Sequence, residues 1–290
     1  MSWRTVVISN SAKLDYQLGY LVVRRDDVVK IHISEISILI IETTSVSLTA
    51  ALLSELIKKK IKVIFCDEKR NPSSELIPYY GAHDTSIKIK NQIDWDADIK
   101  SSVWTEIVSE KIRKQAQHLE YWKLPEKQML YDYLDEIQFG DSTNREGHAA
   151  KVYFNALFGM DFTRTAENST NAALNYGYGI ILSAFNREIV ANGYITQLGL
   201  FHDNMFNQFN LGSDLMEPFR PIVDKKVKQM KPAKFEHDEK ICILQILQQE
   251  VTISNRNECV NNAIKIYCRS IFEALNERDI SAIKFYEYEL

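Results

Sequence analysis

The sequence predicts an α+β protein of two domains. A small N-terminal β-rich domain, β-sandwich-like with one helix, is expected over residues 1–95, and a larger all-α domain over residues 96–290. Three observations predict this. β-branched runs separated by turn formers fill the chain up to about Lys90, and apolar residues recur at helical intervals after about Asp94. The composition, 45% hydrophobic and 26% charged over 290 residues with 10 Gly and 6 Pro, supports two packed cores and excludes a disordered or low-complexity chain.

In the first part, residues 4–8, 20–23, 28–33 and 36–41 read as strands, because β-branched side chains suit a pleated, half-buried surface. Asn10-Ser11, Gly19 and Asp26-Asp27 punctuate them, and residues 23–28 read as a hairpin. One helix is expected over 47–60, with Leu48, Ala51, Leu52 and Leu56 on one face and Lys58, Lys59 and Lys60 at its negative end. Residues 61–66 return as a strand, which Asn71-Pro72-Ser73-Ser74 breaks. In the second part, helices are expected over 99–122, 127–137, 145–158, 170–192, 238–249 and 257–275.

A net charge of −4 excludes a protein that binds nucleic acid through bulk basicity, so any phosphate contact must come from local basic patches. No run approaches the roughly 18 apolar residues of a membrane helix, and Met1-Ser2-Trp3-Arg4 leads into no apolar signal core. The four cysteines form no CxxC pair, as expected of free thiols in a reducing cytoplasm. A cytoplasmic protein without membrane contact is expected.

Three places hold polar groups that core packing does not need. Glu146 heads an apolar stripe formed by Ala149, Ala150, Tyr153, Phe154 and Leu157, although a first-turn acid also suits the positive end of a helix. His202 lies in the loop Gly199-Leu200-Phe201-His202-Asp203-Asn204, where a surface or capping role is the alternative. Asp214 and Glu217 share a helical face or form a capping box, yet Pro218 and Pro221 make any helix there strained or very short. One imidazole with two or three carboxylates suits Mg²⁺ or Mn²⁺ better than zinc.

These residues resemble the CRISPR-associated spacer-acquisition integrases, the core enzymes of CRISPR adaptation. The resemblance rests on Glu146-Gly147-x-Ala149-Ala150 with Tyr153-Phe154, on Asn175-Tyr176-Gly177-Tyr178, and on Gly199-x-x-His202. It is completed by Asp214-Leu215-x-Glu217-Pro218-Phe219-Arg220-Pro221 with Asp224. Trp3-Arg4-Thr5-Val6 and the compact length resemble the type II (II-A-like) form.

The resemblance implies an endonuclease and integrase that joins the 3′-hydroxyl ends of a prespacer to the CRISPR repeat by phosphodiester transesterification. It assigns Glu146, His202 and Glu217 as catalytic metal ligands, with Glu217 standing where many members have Asp, and Asp214 as a supporting acid. It also implies a homodimer, formed here through the β domain, joined to a small dimeric partner protein on double-stranded DNA. Arg145, Lys151, Arg164, Arg220, Lys225, Lys226 and Lys228 flank the motifs as phosphate contacts. Tyr176 and Tyr178, within an apolar helix, are expected to pack rather than to stack on bases. Two other readings use the same residues: a metal-dependent nuclease on branched DNA in repair, and a catalytically silent DNA-binding scaffold whose acids only cap helices.

Overall fold

The computed structural model describes residues 4–78 and 82–287, so Trp3 of the opening motif lies outside the described residues. Two compact units divide the chain, Met1–Gly81 and Ala82–Leu290, a division that falls ahead of the boundary expected at 95.

The first unit runs β1 (Arg4–Ile8), β2 (Ala12–Gln17), β3 (Tyr20–Arg24), β4 (Val28–His32), β5 (Ile36–Ile41), β6 (Val46–Leu48), α1 (Ala50–Lys58), β7 (Lys62–Cys66) and β8 (Pro72–Glu75). Two four-stranded sheets result, ordered β1-β5-β7-β8 and β4-β3-β2-β6. The first is parallel through β1, β5 and β7 and antiparallel at β8. All of β5 is buried, as its apolar run, broken only by Ser37, allows. One core joins Val6 and Ile8 of β1, Leu14 of β2, Leu21 of β3, Leu39 of β5 and Leu52 and Leu56 of α1. Thr49 caps α1 by accepting the Leu52 N–H at 3.3 Å. β7 ends at Cys66, ahead of the breaker Asn71-Pro72-Ser73-Ser74, and Pro72 then opens a further strand, β8. Proline is tolerated there because it opens a strand at the edge of its sheet.

The second unit is largely helical: α2 (Thr85–Ile93), α3 (Ala97–Tyr121), α4 (Lys127–Asp135), α5 (Arg145–Phe158), α6 (Ser169–Ala191), α7 (Asn210–Leu215), α8 (Arg220–Met230) and α9 (His237–Leu244). It ends with β9 (Glu250–Ile253), β10 (Arg256–Cys259), α10 (Val260–Glu277) and β11 (Tyr286–Glu287). The last strands form a three-stranded antiparallel sheet, ordered β10-β9-β11, that the all-α expectation omits. α3 is the central element, packed against α4, α5, α8 and α10. α6 lies against α8, α9 and α10, and its buried Leu174, Ile181, Phe185 and Ile189 fill the space between them. Tyr176 and Tyr178 are buried, as their apolar surroundings predict.

The region expected to be strained or very short resolves into two pieces. A single 3-10 turn, Glu217–Phe219, carries Pro218 and leads directly into the eleven-residue α8. Pro221 lies in the first turn of α8, where a missing N–H leaves no intrahelical bond unmade. No helix among the described residues is long and apolar enough to cross a membrane, and all four cysteines are free thiols.

Candidate metal centre

The start of α5 presents Glu146 but does not use it as a cap. Asn144, in the left-handed region, accepts the Gly147 N–H at 3.3 Å. The Asp141 carboxylate accepts the N–H groups of Arg145 and Glu146 at 2.7 and 3.1 Å. With the helix end satisfied by these two side chains, the Glu146 carboxylate is released to point elsewhere.

It meets a residue that the sequence reading passed over. Lys111, buried on α3, donates to Glu146 Oε1 and, at 2.5 Å, to Glu217 Oε2. Burial works against the Lys111 charge, but the carboxylates of Glu217 and Glu146 outweigh it and raise the ammonium above the usual lysine value. Glu217, also buried, accepts from Arg220 Nε at 2.9 Å through its other oxygen. Burial would lift its carboxyl, yet Arg220 and Lys111 together bring it below the ordinary glutamate value. Arg220 in turn lies 4.7 Å from the Tyr178 ring, and the Tyr178 hydroxyl donates to Asp224. These groups line an open cleft of about 510 Å³, shared with Arg164 and Phe154.

His202 is held on the neighbouring turn by a fully buried acid. Asp214 does not cap its own helix. Its carboxylate accepts the N–H groups of Leu200, Phe201 and His202 at 2.6, 3.1 and 3.2 Å, and the His202 Nδ1–H at 2.5 Å. Gly199 makes this turn possible, since a Cβ there would lie 2.4 Å from the His202 carbonyl oxygen and 2.7 Å from Asp214 Oδ2. The hydrogen bond to Asp214 raises the His202 pKa above 6.5 despite burial, and the charges of Glu217 and Glu146 add to the rise.

Glu146 and Glu217 therefore share one cation, and His202 senses both. Among the described residues, no three His, Cys, Asp or Glu side chains are grouped so as to hold one metal ion, and the Lys111 ammonium bonds both acids. The donors nonetheless fit a hard divalent ion. Two carboxylates already select a positive charge, and an imidazole whose Nδ1–H is bound by a carboxylate keeps Nε2 for a ligand, the arrangement metal-binding histidines adopt. Nothing in the spacing of 111, 146 and 217 reveals the Lys111 contact. Its one legible signal is that Lys111 falls four residues after Ile107 on the buried stripe of α3.

The basic residues divide. Arg220 and Arg164 line the cleft, where Arg164 also bonds Asn175 at 2.7 Å. Arg145 pairs with Glu136 at 2.8 Å. Two of the expected phosphate contacts are committed inside the fold: Lys225 is buried with its ammonium over the Tyr121 ring, and Lys228 donates to the Leu157 carbonyl. Burial lowers the pKa of both. Lys151 is exposed and Lys226 half-buried.

The family model for CRISPR associated protein Cas1 matches residues 5–255. A CRISPR-associated endonuclease Cas1 from Neisseria meningitidis serogroup C is 36% identical over 230 residues, covering 78% of this chain and 75% of that one. The fold is similar to that of a solved casposase bound to integration product, with TM-score 0.77, 17% identity and coverage of 96% and 91%. It is also similar to a chain of a Cas6-RT-Cas1–Cas2 complex, with TM-score 0.74, 16% identity and coverage of 97% of this chain and 36% of that one. The match to the family and the identity to a curated relative both span most of the sequence, so this chain belongs to the family of the CRISPR-associated protein Cas1.

Proposed function

We propose that this chain is a divalent-metal-dependent DNA integrase of CRISPR adaptation, whose Glu146, His202 and Glu217 hold a Mg²⁺ or Mn²⁺ ion. The observation that carries the reading is the convergence of two acids, from the start of α5 and the turn before α8, on one positive charge beside the Asp214–His202 pair. Family membership, and the integration product named for the casposase neighbour, support the same class of chemistry.

In the reaction, a prespacer 3′-hydroxyl oxygen bonds to a phosphorus of the repeat. The bond from that phosphorus to its own 3′ oxygen breaks, and the proton of the attacking hydroxyl ends on the leaving oxygen. One phosphodiester replaces another, so no energy-rich cofactor is consumed. A bound divalent ion supplies a Lewis acid that neutralises charge on the phosphoryl and leaving oxygens. Glu146 and Glu217 provide the negative charge that retains the cation, and Arg220 fixes the Glu217 carboxylate by holding its second oxygen. Asp214 orients the imidazole of His202, which serves either as ligand or as proton carrier. Arg164 at the cleft, exposed Lys151 and half-buried Lys226 contact DNA phosphates. Water in place of the hydroxyl gives hydrolysis, in keeping with the endonuclease named among the relatives.

A prespacer has two ends, so two such sites must act together. A homodimer formed through the strand edges of the β-rich unit supplies them, and a smaller dimeric partner joins two such pairs. The Cas1–Cas2 complex among the structural neighbours supports an assembly of that kind, working in the cytoplasm where the DNA lies.

The test is strand joining of a short 3′-hydroxyl duplex to a supercoiled plasmid bearing the repeat, with the partner protein and Mg²⁺ or Mn²⁺. Glu146→Ala, His202→Ala and Glu217→Ala should each abolish joining while leaving the melting transition cooperative. Wild-type joining by all three variants would remove the site assignment. Cleavage that persists without any joining would favour the nuclease acting on branched DNA.

A further inference from the structure

We propose that Lys111 is a built-in cation that holds the two-carboxylate site in the metal-free protein and is exchanged for the divalent ion, so that metal binding is a displacement. The inference rests on the metal-site reading above and adds a residue which that reading does not need.

The argument begins with charge. Glu146 and Glu217 contribute two negative charges, and Lys111 and Arg220 two positive ones, linked in a chain in which Lys111 bonds both acids and Arg220 bonds Glu217. Without metal the cluster is neutral and satisfied. A buried Glu217 and a half-buried Glu146 facing each other with nothing between them would repel, so the ammonium is what keeps their geometry assembled. A divalent ion added to the intact cluster would leave it at +2 around the buried Lys111 and Glu217. The ion therefore enters where the ammonium sits, and Lys111 must leave that position.

The Lys111 side chain suits this role. It is long, flexible and rooted on α3, separate from the segments that carry the acids. It already lines the open cleft, so the displaced ammonium has a path toward the DNA phosphates without leaving the site. Arg220 is less free, since its Nε bond to Glu217 and its seat over the Tyr178 ring fix it on both sides.

The experiment is Mn²⁺ binding, followed by calorimetry and by loss of the free Mn²⁺ paramagnetic signal, in the wild type, Lys111→Met, Lys111→Gln and Lys111→Arg. Removing the charge should tighten Mn²⁺ binding by at least about tenfold. Lys111→Arg, which restores it, should stay within about twofold of wild type. A second readout uses the wild type alone. Acylation of Lys111 by an amine-specific reagent, followed by mass spectrometry, should rise several-fold when Mn²⁺ is added, because the ammonium moves into the open cleft.

Unchanged Mn²⁺ affinity in both neutral variants, or labelling of Lys111 that ignores Mn²⁺, overturns the exchange. If Glu146→Gln still weakens binding in that case, the metal site itself stands. Mn²⁺ binding that ignores Glu146→Gln and Glu217→Gln removes the metal-site reading and the exchange together. Should Lys111→Met fail to fold, the Gln variant and the wild-type labelling still decide.

Discussion

Asp214 shows how one buried side chain can set the chemistry of another. A fully buried carboxylate with three backbone N–H donors and one imidazole N–H is well satisfied. Asp214→Asn keeps the size but offers a single accepting oxygen and an NH₂ that faces existing donors. Joining and Mn²⁺ affinity should fall by about 10- to 100-fold, with the far-UV spectrum unchanged; a variant within twofold of wild type in both would deny Asp214 its positioning role. Glu146, His202, Asp214 and Glu217 were legible as candidates because motifs resembling those of the family fall on them, each pattern signal being weak alone. Lys111 was not, for a physical reason. Glu110, Lys111, Lys114, Gln115 and His118 on α3 are polar, yet all are buried. Their partners, among them Glu146, Glu217, Tyr153 and the carbonyl of Tyr286, lie far along the chain, and a linear sequence does not show which charges will be neutralised.

At the scale of elements, periodicity located most long helices within a few residues, and α5 falls exactly on residues 145–158 as expected. What it missed are short elements whose formation depends on neighbours. β9 and β10 are joined by Ser254 and Asn255, both with positive φ, at 52° and 58°, as a tight hairpin turn demands. Without a glycine in that pair, the turn carries no strong sequence signal. Glycine does matter where α6 crosses α8. A Cβ on Gly177 would lie 2.4 Å from Val223 Cγ1 and 3.3 Å from Ile243 Cγ2, so the two helices approach to a distance only glycine permits. The contact also sets the cleft, because the next residue is Tyr178 and the residue after Val223 is Asp224, and these two bond to each other. Gly177→Ala should push the helices apart and cost about 1 to 3 kcal/mol in urea denaturation. Joining should fall more than stability explains, because Tyr178 and Arg220 shift with the crossing. A neutral or stabilising result would show that α6 and α8 can yield without penalty.

At the scale of the whole molecule, two buried groups contribute to acid stability in opposite senses. His118, bonded to the Tyr153 hydroxyl at 2.6 Å, is lowered to about 3 by burial and by the charges of Lys225 and Lys228. The folded protein therefore resists its protonation while the unfolded chain accepts the proton near 6.5, so stability is full above 6.5 and drains as pH falls toward 3. Asp224 is raised to about 6, chiefly by burial, although Tyr178, Tyr153, Arg220 and Arg164 all favour its charge. Its charged form costs stability at neutral pH, and that cost disappears as pH falls from about 6 to the unfolded value of 3.8. The two changes largely cancel between about 6 and 4, and of the two only the His118 loss continues below that range. Single variants separate them. Relative to wild type, His118→Gln should gain about 2 to 3 kcal/mol on going from pH 7 to pH 4. Asp224→Asn should move the other way by a similar amount, being most favourable at pH 7. Urea melts of the three proteins at both pH values measure this directly. If either difference is flat with pH, that group titrates as it would in the unfolded chain, and the acid response must come from the exposed carboxylates.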